Sequence, residues 1–301
     1  MSNHPSSKPS PRVTMALVRL LIGLFRTPAG PTRRPATRTP SRLIHALLTF
    51  LTALGLIVGV SAIPAAASPP STYYGLGDSI AAGTGATIPT DLTVPCLQTP
   101  YAYPTQLGAT KNLGCYGATT SYVQSTQVPQ LSANVRIVTI TVGANDVGAG
   151  NVAITCATGT ATSCQQAIAY STLVLLPRLP AKLAATISAV HAKAPGARIT
   201  FTGYPLLFTV SGLPASEQPV ATEINAVTSA LNQTIALTAL TRGARYADVT
   251  LPFYGHGIGS LVPWINNLTV NSTGNWDPGS FHPNYAGYTY GYVPAIAPFL
   301  N

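Results

Sequence analysis

Four short polar clusters carry most of the reactive chemistry in this chain. Gly77-Asp78-Ser79-Ile80, with Gly83 and Gly85 shortly after, sets a hydroxyl behind an apolar, aromatic run. Gly114-Cys115-Tyr116-Gly117-Ala118-Thr119-Thr120 offers backbone N–H groups at glycine. Gly143-Ala144-Asn145-Asp146 brings a side-chain amide, and Ser280-Phe281-His282-Pro283-Asn284 brings an imidazole. A hydroxyl nucleophile needs a base within hydrogen-bond reach. The oxyanion it generates needs preorganised donors, which glycine N–H groups and an Asn amide can supply. Each cluster alone has a plainer reading: Ser79 or Asp78 as a helix cap, Asn145-Asp146 as a turn, His282 as a loop residue. Acyl transfer is the chemistry that uses all four. His191, beside Lys193, reads as an ordinary helix residue, while His256 sits in a glycine-rich loop that could line a cleft.

These clusters must be held by a scaffold, and the surrounding sequence alternates strand-like and helix-like segments. Residues 72–76 form a short apolar run that stops at the Gly77 cluster. Residues 135–142 are β-branched almost throughout and end at Gly143, which makes them the clearest strand. Residues 197–202 and 244–249 are two more. Helical stretches cover about 163–193, interrupted at Pro177 and Pro180, and about 216–240, with Ser216-Glu217 as an acidic start and Gly243 as the stop. Such alternation implies βαβ units and a mostly parallel sheet covered on both faces. In an open parallel sheet the site forms outside the carboxyl ends of the strands. Three of the clusters follow strands or a short run at 111–113, and the fourth lies near the C-terminus.

Gly77-Asp78-Ser79, Gly117, Gly143-x-Asn145-Asp146 and His282 resemble the four blocks of the GDSL, or SGNH, hydrolase family. The stretches Gly77 to Gly83, Asn112 to Thr120 and Ser280 to Asn284 are similar to the secreted bacterial esterase and lipase branch, in the family's order over about 72–288. The resemblance implies a flavodoxin-like three-layer α/β/α sandwich and a serine carboxylester hydrolase. It assigns Ser79 as nucleophile, His282 as base, and the N–H groups of Ser79 and Gly117 with the Asn145 amide as oxyanion hole. Asp78 and Asp146 become supporting residues. One departure stands out, because the family's D-x-x-H pattern would need an acid where Gly279 stands. Two groups are therefore candidates for orienting His282: the Gly279 carbonyl, in a Ser-His dyad, or Asp277 as a displaced acid. Carbohydrate acyl ester hydrolysis, acyl transfer to an alcohol, and an inactive exported binding protein are the competing readings. No cofactor and no metal is expected.

Charge and cysteines bear on location. Of 301 residues only 8% are charged, yet the formal net charge is +9. Residues 1–67 hold eight Lys or Arg and no acid, whereas the remainder balances eight cationic against seven acidic side chains. No basic stripe survives in the body, so nucleic acid is not an expected partner. The basic stretch, the apolar run 43–63 and Ala65-Ala66-Ala67 read as a cleaved export leader, with 68–301 as the catalytic domain. The same run is long enough for a retained anchor, so membrane contact is expected either in transit or by tethering. Four cysteines in an exported chain favour disulfides, and sequential pairing gives Cys96–Cys115 and Cys156–Cys164. A secreted monomer acting on acyl esters or lipids is the combined expectation.

Overall fold

The computed structural model describes residues 72–270 and 274–301. The expected leader lies outside them, as do residues 271–273. Five strands form one parallel sheet: β1 (Thr72–Gly77), β2 (Lys111–Asn112), β3 (Val135–Thr141), β4 (Arg198–Thr202) and β5 (Arg245–Ala247). Their order is β2-β1-β3-β4-β5, the doubly wound flavodoxin-like arrangement. The chain direction of the crossovers reverses between β1 and β3, which pair from Thr72 with Val135 to Gly77 with Thr141. That reversal opens a crevice at their carboxyl ends, where Ser79 and Asn145 follow.

The helices are α1 (Ser79–Ala82), α2 (Tyr103–Gln106), α3 (Thr120–Tyr122), α4 (Ala149–Thr158), α5 (Ala161–Tyr170), α6 (Leu179–Lys193), α7 (Gln218–Thr241) and α8 (Val293–Ile296). The apolar stripe Leu179, Leu183, Ile187 and Val190 of α6 is buried with Val138 and Ile140 of β3 in one core. Leu231, Ile235 and Ala239 of α7 join the same core, beside Phe201 of β4. The helical run Ala161–Lys193 is long and apolar enough to cross a membrane, but its α6 stripe is part of this core.

Prolines shape these helices in a repeated way. Widened π turns at Val123–Gln127, Ser171–Leu175 and Gly287–Tyr292 each stand just ahead of a proline, at Pro129, Pro177 and Pro294. A proline lacks the N–H that would bond four residues back and its ring crowds that carbonyl. A wider turn accommodates both effects without breaking the helix. This is why the expected interruption at Pro177 is a local change of pitch rather than an end.

The expected strand 244–249 shortens to β5, and the expected helix from 216 starts at Gln218, where Glu217 makes no side-chain cap. Helix α4 was not foreseen. Both cysteine pairs are bridged, Cys96–Cys115 and Cys156–Cys164, the second joining α4 to α5.

Candidate active site

The turn after β1 is built to present Ser79. Asp78 caps α1 by accepting the Ile80 N–H at 3.0 Å. Just before it, the Gln127 amide clamps Gly77 from the side, accepting its N–H and donating to its carbonyl, both at 2.8 Å. Backbone and cap thus fix the nucleophile's residue from two directions, and Ser79 itself is 8% exposed.

His282 reaches Ser79 from a C-terminal loop 203 residues away, with Nε2 to Oγ at 2.7 Å. The loop packs tightly enough that a Cβ at Gly85 would lie 2.6 Å from the His282 Cβ. Gly85 has a φ of +90°, so a side chain there is excluded on both counts. The ring nitrogen Nδ1 lies 2.9 Å from the Ser280 carbonyl. A carbonyl only accepts, so Nδ1 carries the proton and Nε2 presents its lone pair to the Ser79 hydroxyl.

This corrects both orienting candidates. The Gly279 carbonyl is taken by the His282 backbone N–H and the Asn266 amide, both at 3.2 Å, closing a tight turn. Asp277 faces the other way, accepting from Thr90 N at 2.8 Å, Thr90 Oγ1 at 2.5 Å and Gly279 N at 2.7 Å. These bonds hold its carboxyl below the usual range against the opposing effect of burial. Asp277 therefore shapes the loop and acts on the imidazole only through space. Burial draws the His282 pKa down, and the Ser280 carbonyl and the Asp277 charge offset that in part.

The other side of the crevice supplies hydrogen-bond donors. Among the described residues the N–H groups of Ser79 and Gly117 have no hydrogen-bond partner. Gly117 takes a φ of +77°, a conformation open to glycine at little cost. Asn145 Nδ2 donates one hydrogen to the Ala118 carbonyl at 3.0 Å, which leaves its second hydrogen for a ligand. Ser79, Gly117, Asn145 and His282 line one cavity of about 200 Å³. Asp146 stands behind it, with Thr120 N at 2.8 Å, Thr120 Oγ1 at 2.7 Å and Lys182 Nζ at 3.0 Å.

Tyr204, Phe281 and the Ser280 carbonyl were not foreseen. Tyr204 donates its hydroxyl proton to Asp78 at 2.5 Å and accepts the Ala144 N–H at 3.2 Å, tying the first cluster to the third. Burial outweighs these bonds and pushes the Asp78 carboxyl up to about 7. Phe281 has a φ of +62°, unusual for a residue with a side chain. A lone Tyr or Phe gives no such signal in sequence, and every residue has a carbonyl. His256 stacks on Trp264 at 3.7 Å and bonds the Val262 carbonyl, and it does not line the Ser79 cavity. No group of three or more His, Cys, Asp or Glu among the described residues is placed to hold a metal.

The GDSL-like lipase/acylhydrolase family profile matches residues 76–290. Lipase 1 of Streptomyces coelicolor is 31% identical over 267 residues, covering 85% of this chain and 97% of that protein. The extracellular lipase of Streptomyces rimosus superimposes with a TM-score of 0.69 at 28% identity, over 75% of this chain and 98% of that one. The phospholipase A1 of Streptomyces albidoflavus gives the same TM-score at 32% identity, over 76% and 98%. With the profile spanning most of the chain and the doubly wound sheet in common, the protein belongs to the GDSL-like lipase/acylhydrolase family, in its secreted bacterial lipase branch, and is a carboxylic ester hydrolase.

Proposed function

We propose that this carboxylic ester hydrolase works through a Ser79–His282 dyad outside the cell, on acyl esters of lipids. The observation that carries the dyad is the 2.7 Å contact between Ser79 Oγ and His282 Nε2, with Nδ1 held by a carbonyl rather than a carboxylate. Ser79 Oγ attacks the ester carbonyl carbon as its proton passes to His282 Nε2. The resulting oxyanion lies against the free N–H groups of Ser79 and Gly117 and the second Asn145 hydrogen. Collapse breaks the bond to the alcohol oxygen, which takes the proton from His282. A water then attacks the acyl-enzyme, gives one proton to His282, and the carboxylic acid leaves as Ser79 regains its hydrogen.

Lipid esters are favoured by the apolar walls that Ile154, Leu207 and Leu231 add to the cavity. The lipases and the phospholipase A1 this chain resembles agree with that choice. Two disulfides and the extracellular lipase relative support an exported protein, for which 1–67 is the proposed leader. The test is hydrolysis of nitrophenyl esters by the purified protein. Ser79→Ala and His282→Ala should each lower kcat by several orders of magnitude while the fold, read by circular dichroism, is kept. Asn145→Ala should cost about 10²–10³ in kcat, the usual effect of one oxyanion donor. Turnover surviving in Ser79→Ala would end this reading.

A further inference from the structure

The three donors assigned to the oxyanion come from three separate stretches of chain, and each stands next to a member of one hydrogen-bonded series. Asp78 precedes Ser79, Ala144 precedes Asn145, and Ala118 follows Gly117. Tyr204 donates its hydroxyl proton to Asp78 Oδ2 at 2.5 Å and accepts the Ala144 N–H at 3.2 Å. Asn145 Nδ2 in turn donates to the Ala118 carbonyl at 3.0 Å. The Ser79 and Asn145 stretches separate where the sheet ends, after a last backbone bond from Asp78 N to Thr141 O at 2.8 Å. Among the described residues no direct hydrogen bond joins 78–83 to 142–149. The Tyr204 hydroxyl is what spans the crevice between them.

Tyr204 is itself held from outside the crevice. It lies two residues beyond β4, where Asn232 of α7 accepts its N–H at 2.8 Å and donates to its carbonyl at 2.7 Å. Both residues are buried. Burial and the neighbouring Asp78 carboxyl push the Tyr204 pKa well above its ordinary value, so the hydroxyl keeps the proton it donates. The Ala144 N–H has no other acceptor among the described residues. A phenylalanine at 204 would fill the same space and leave Ala144 with no tie to the nucleophile's turn.

We propose that Tyr204 is a positioning residue for ester hydrolysis, whose hydroxyl sets the separation of the Ser79 N–H and the Asn145 amide so that both meet one oxyanion. This rests on the oxyanion hole proposed above and adds a residue that acts on it only through Asp78 and Ala144. The donors matter once the carbonyl oxygen has become an anion. Displacing them therefore lowers kcat and leaves KM nearly unchanged.

The experiment is a double-mutant cycle of Tyr204→Phe and Asn145→Ala on butyryl nitrophenyl ester. Rates are expressed per active site, counted from the nitrophenol released when a nitrophenyl phosphonate caps Ser79. Tyr204→Phe alone should lower kcat roughly 10- to 100-fold, the scale of a small misplacement of catalytic groups. Its KM should stay within about threefold of the natural value. In the Asn145→Ala background the same substitution should cost less than about threefold more, because the donor that Tyr204 places is already gone. If Tyr204→Phe does not fold, the comparison moves to Asp78→Asn with and without Tyr204→Phe, where no carboxyl is stranded. The tyrosine hydroxyl should there be worth a similar factor in kcat.

A tyrosine that only stabilises the fold would lower the melting temperature and the number of active sites, and leave kcat per site within about twofold. That result overturns the proposal. So does a cycle in which the two losses multiply, because Tyr204 would then act independently of Asn145. A rise in KM that accounts for the whole loss would make Tyr204 a substrate-binding residue instead, and the positioning role would be wrong. An Asn145→Ala variant as active as the natural protein would overturn the oxyanion-hole reading itself, and this proposal with it.

Discussion

The His282 imidazole is half-buried beside a neutral carbonyl, and the desolvation draws its pKa below the ordinary 6.5. A protonated ring cannot accept the Ser79 hydrogen, so activity is lost as pH falls through that lowered value. The acid limb of kcat/KM should accordingly have its midpoint below 6.5, measured at saturating ionic strength to screen distant charges. Asp277 raises the same pKa through space. Asp277→Asn should therefore move the limb to still lower pH, while the plateau falls only a few-fold. An acid that completed a catalytic triad would cost on the order of 10⁴ in kcat instead, and a loss of that size would end the dyad. The variant should also destabilise by about 1–3 kcal/mol, because an amide cannot accept all three donors that the carboxylate satisfies. The roles of Ser79 and His282 could be anticipated from residue type and order, since only hydroxyl and imidazole do this work. The group that orients His282 could not, because a backbone carbonyl has no letter in the sequence.

Among the elements, the loop carrying Gly117 is held by the Cys96–Cys115 bridge more than by any regular structure. Cys115 N donates to the Gly77 carbonyl and Tyr116 N to the Cys96 carbonyl, each at 3.0 Å. These bonds place Gly117 beside the end of β1, two residues past the disulfide. The bridge joins residues 19 apart, and closing a loop of that size is worth about 3 kcal/mol. Replacing both cysteines with serine should lower unfolding free energy by about that amount in denaturant titrations. It should also reduce kcat more than it raises KM, because a loosened Gly117 N–H is lost chiefly to the oxyanion. An unchanged kcat would show that the bridge stabilises the fold without positioning the donor. Legibility differed among the elements for physical reasons. β3 declares itself through β-branched residues, and α7 through its long periodic face. α4 does not, since Ala149–Thr158 mixes Gly150, Asn151, Thr155 and Thr158, which favour helices weakly. Its helix depends on contacts with α5 and α7 and on the Cys156–Cys164 bridge, none of which a local pattern carries. β2, at two residues, is too short for any period to register.

Among the described residues, buried side-chain polarity is handled mostly by hydrogen bonds rather than charge, with Thr200 Oγ1 and Ser260 Oγ left unpartnered. Tyr73 pairs with Thr139 at 2.8 Å, and Tyr103, Thr141 and Thr202 form a chain at 2.9 and 2.6 Å through the sheet. Lys182–Asp146 is the one salt bridge among the described residues. With so few ion pairs, the pH dependence of stability falls largely to individual buried groups. Asp78, 1% exposed, has its carboxyl raised from 3.8 to about 7 by burial. The folded state therefore holds a proton there that the unfolded chain has released, and stability declines as pH rises from about 4 to about 7. His282 acts in the opposite sense. Its folded pKa is lowered, so stability is gained as pH rises through that value toward 6.5. The two slopes partly cancel, and the melting curve of the natural protein alone does not separate them. The difference between two proteins does. Asp78→Asn cannot ionise, so the gap in Tm between it and the natural protein should change steadily between pH 4 and pH 7. The natural protein should be relatively favoured at pH 4 and lose that advantage by pH 7. If the two Tm profiles run parallel across this range, Asp78 is already ionised in the folded protein, and the Tyr204 and Ile80 hydrogen bonds outweigh its burial.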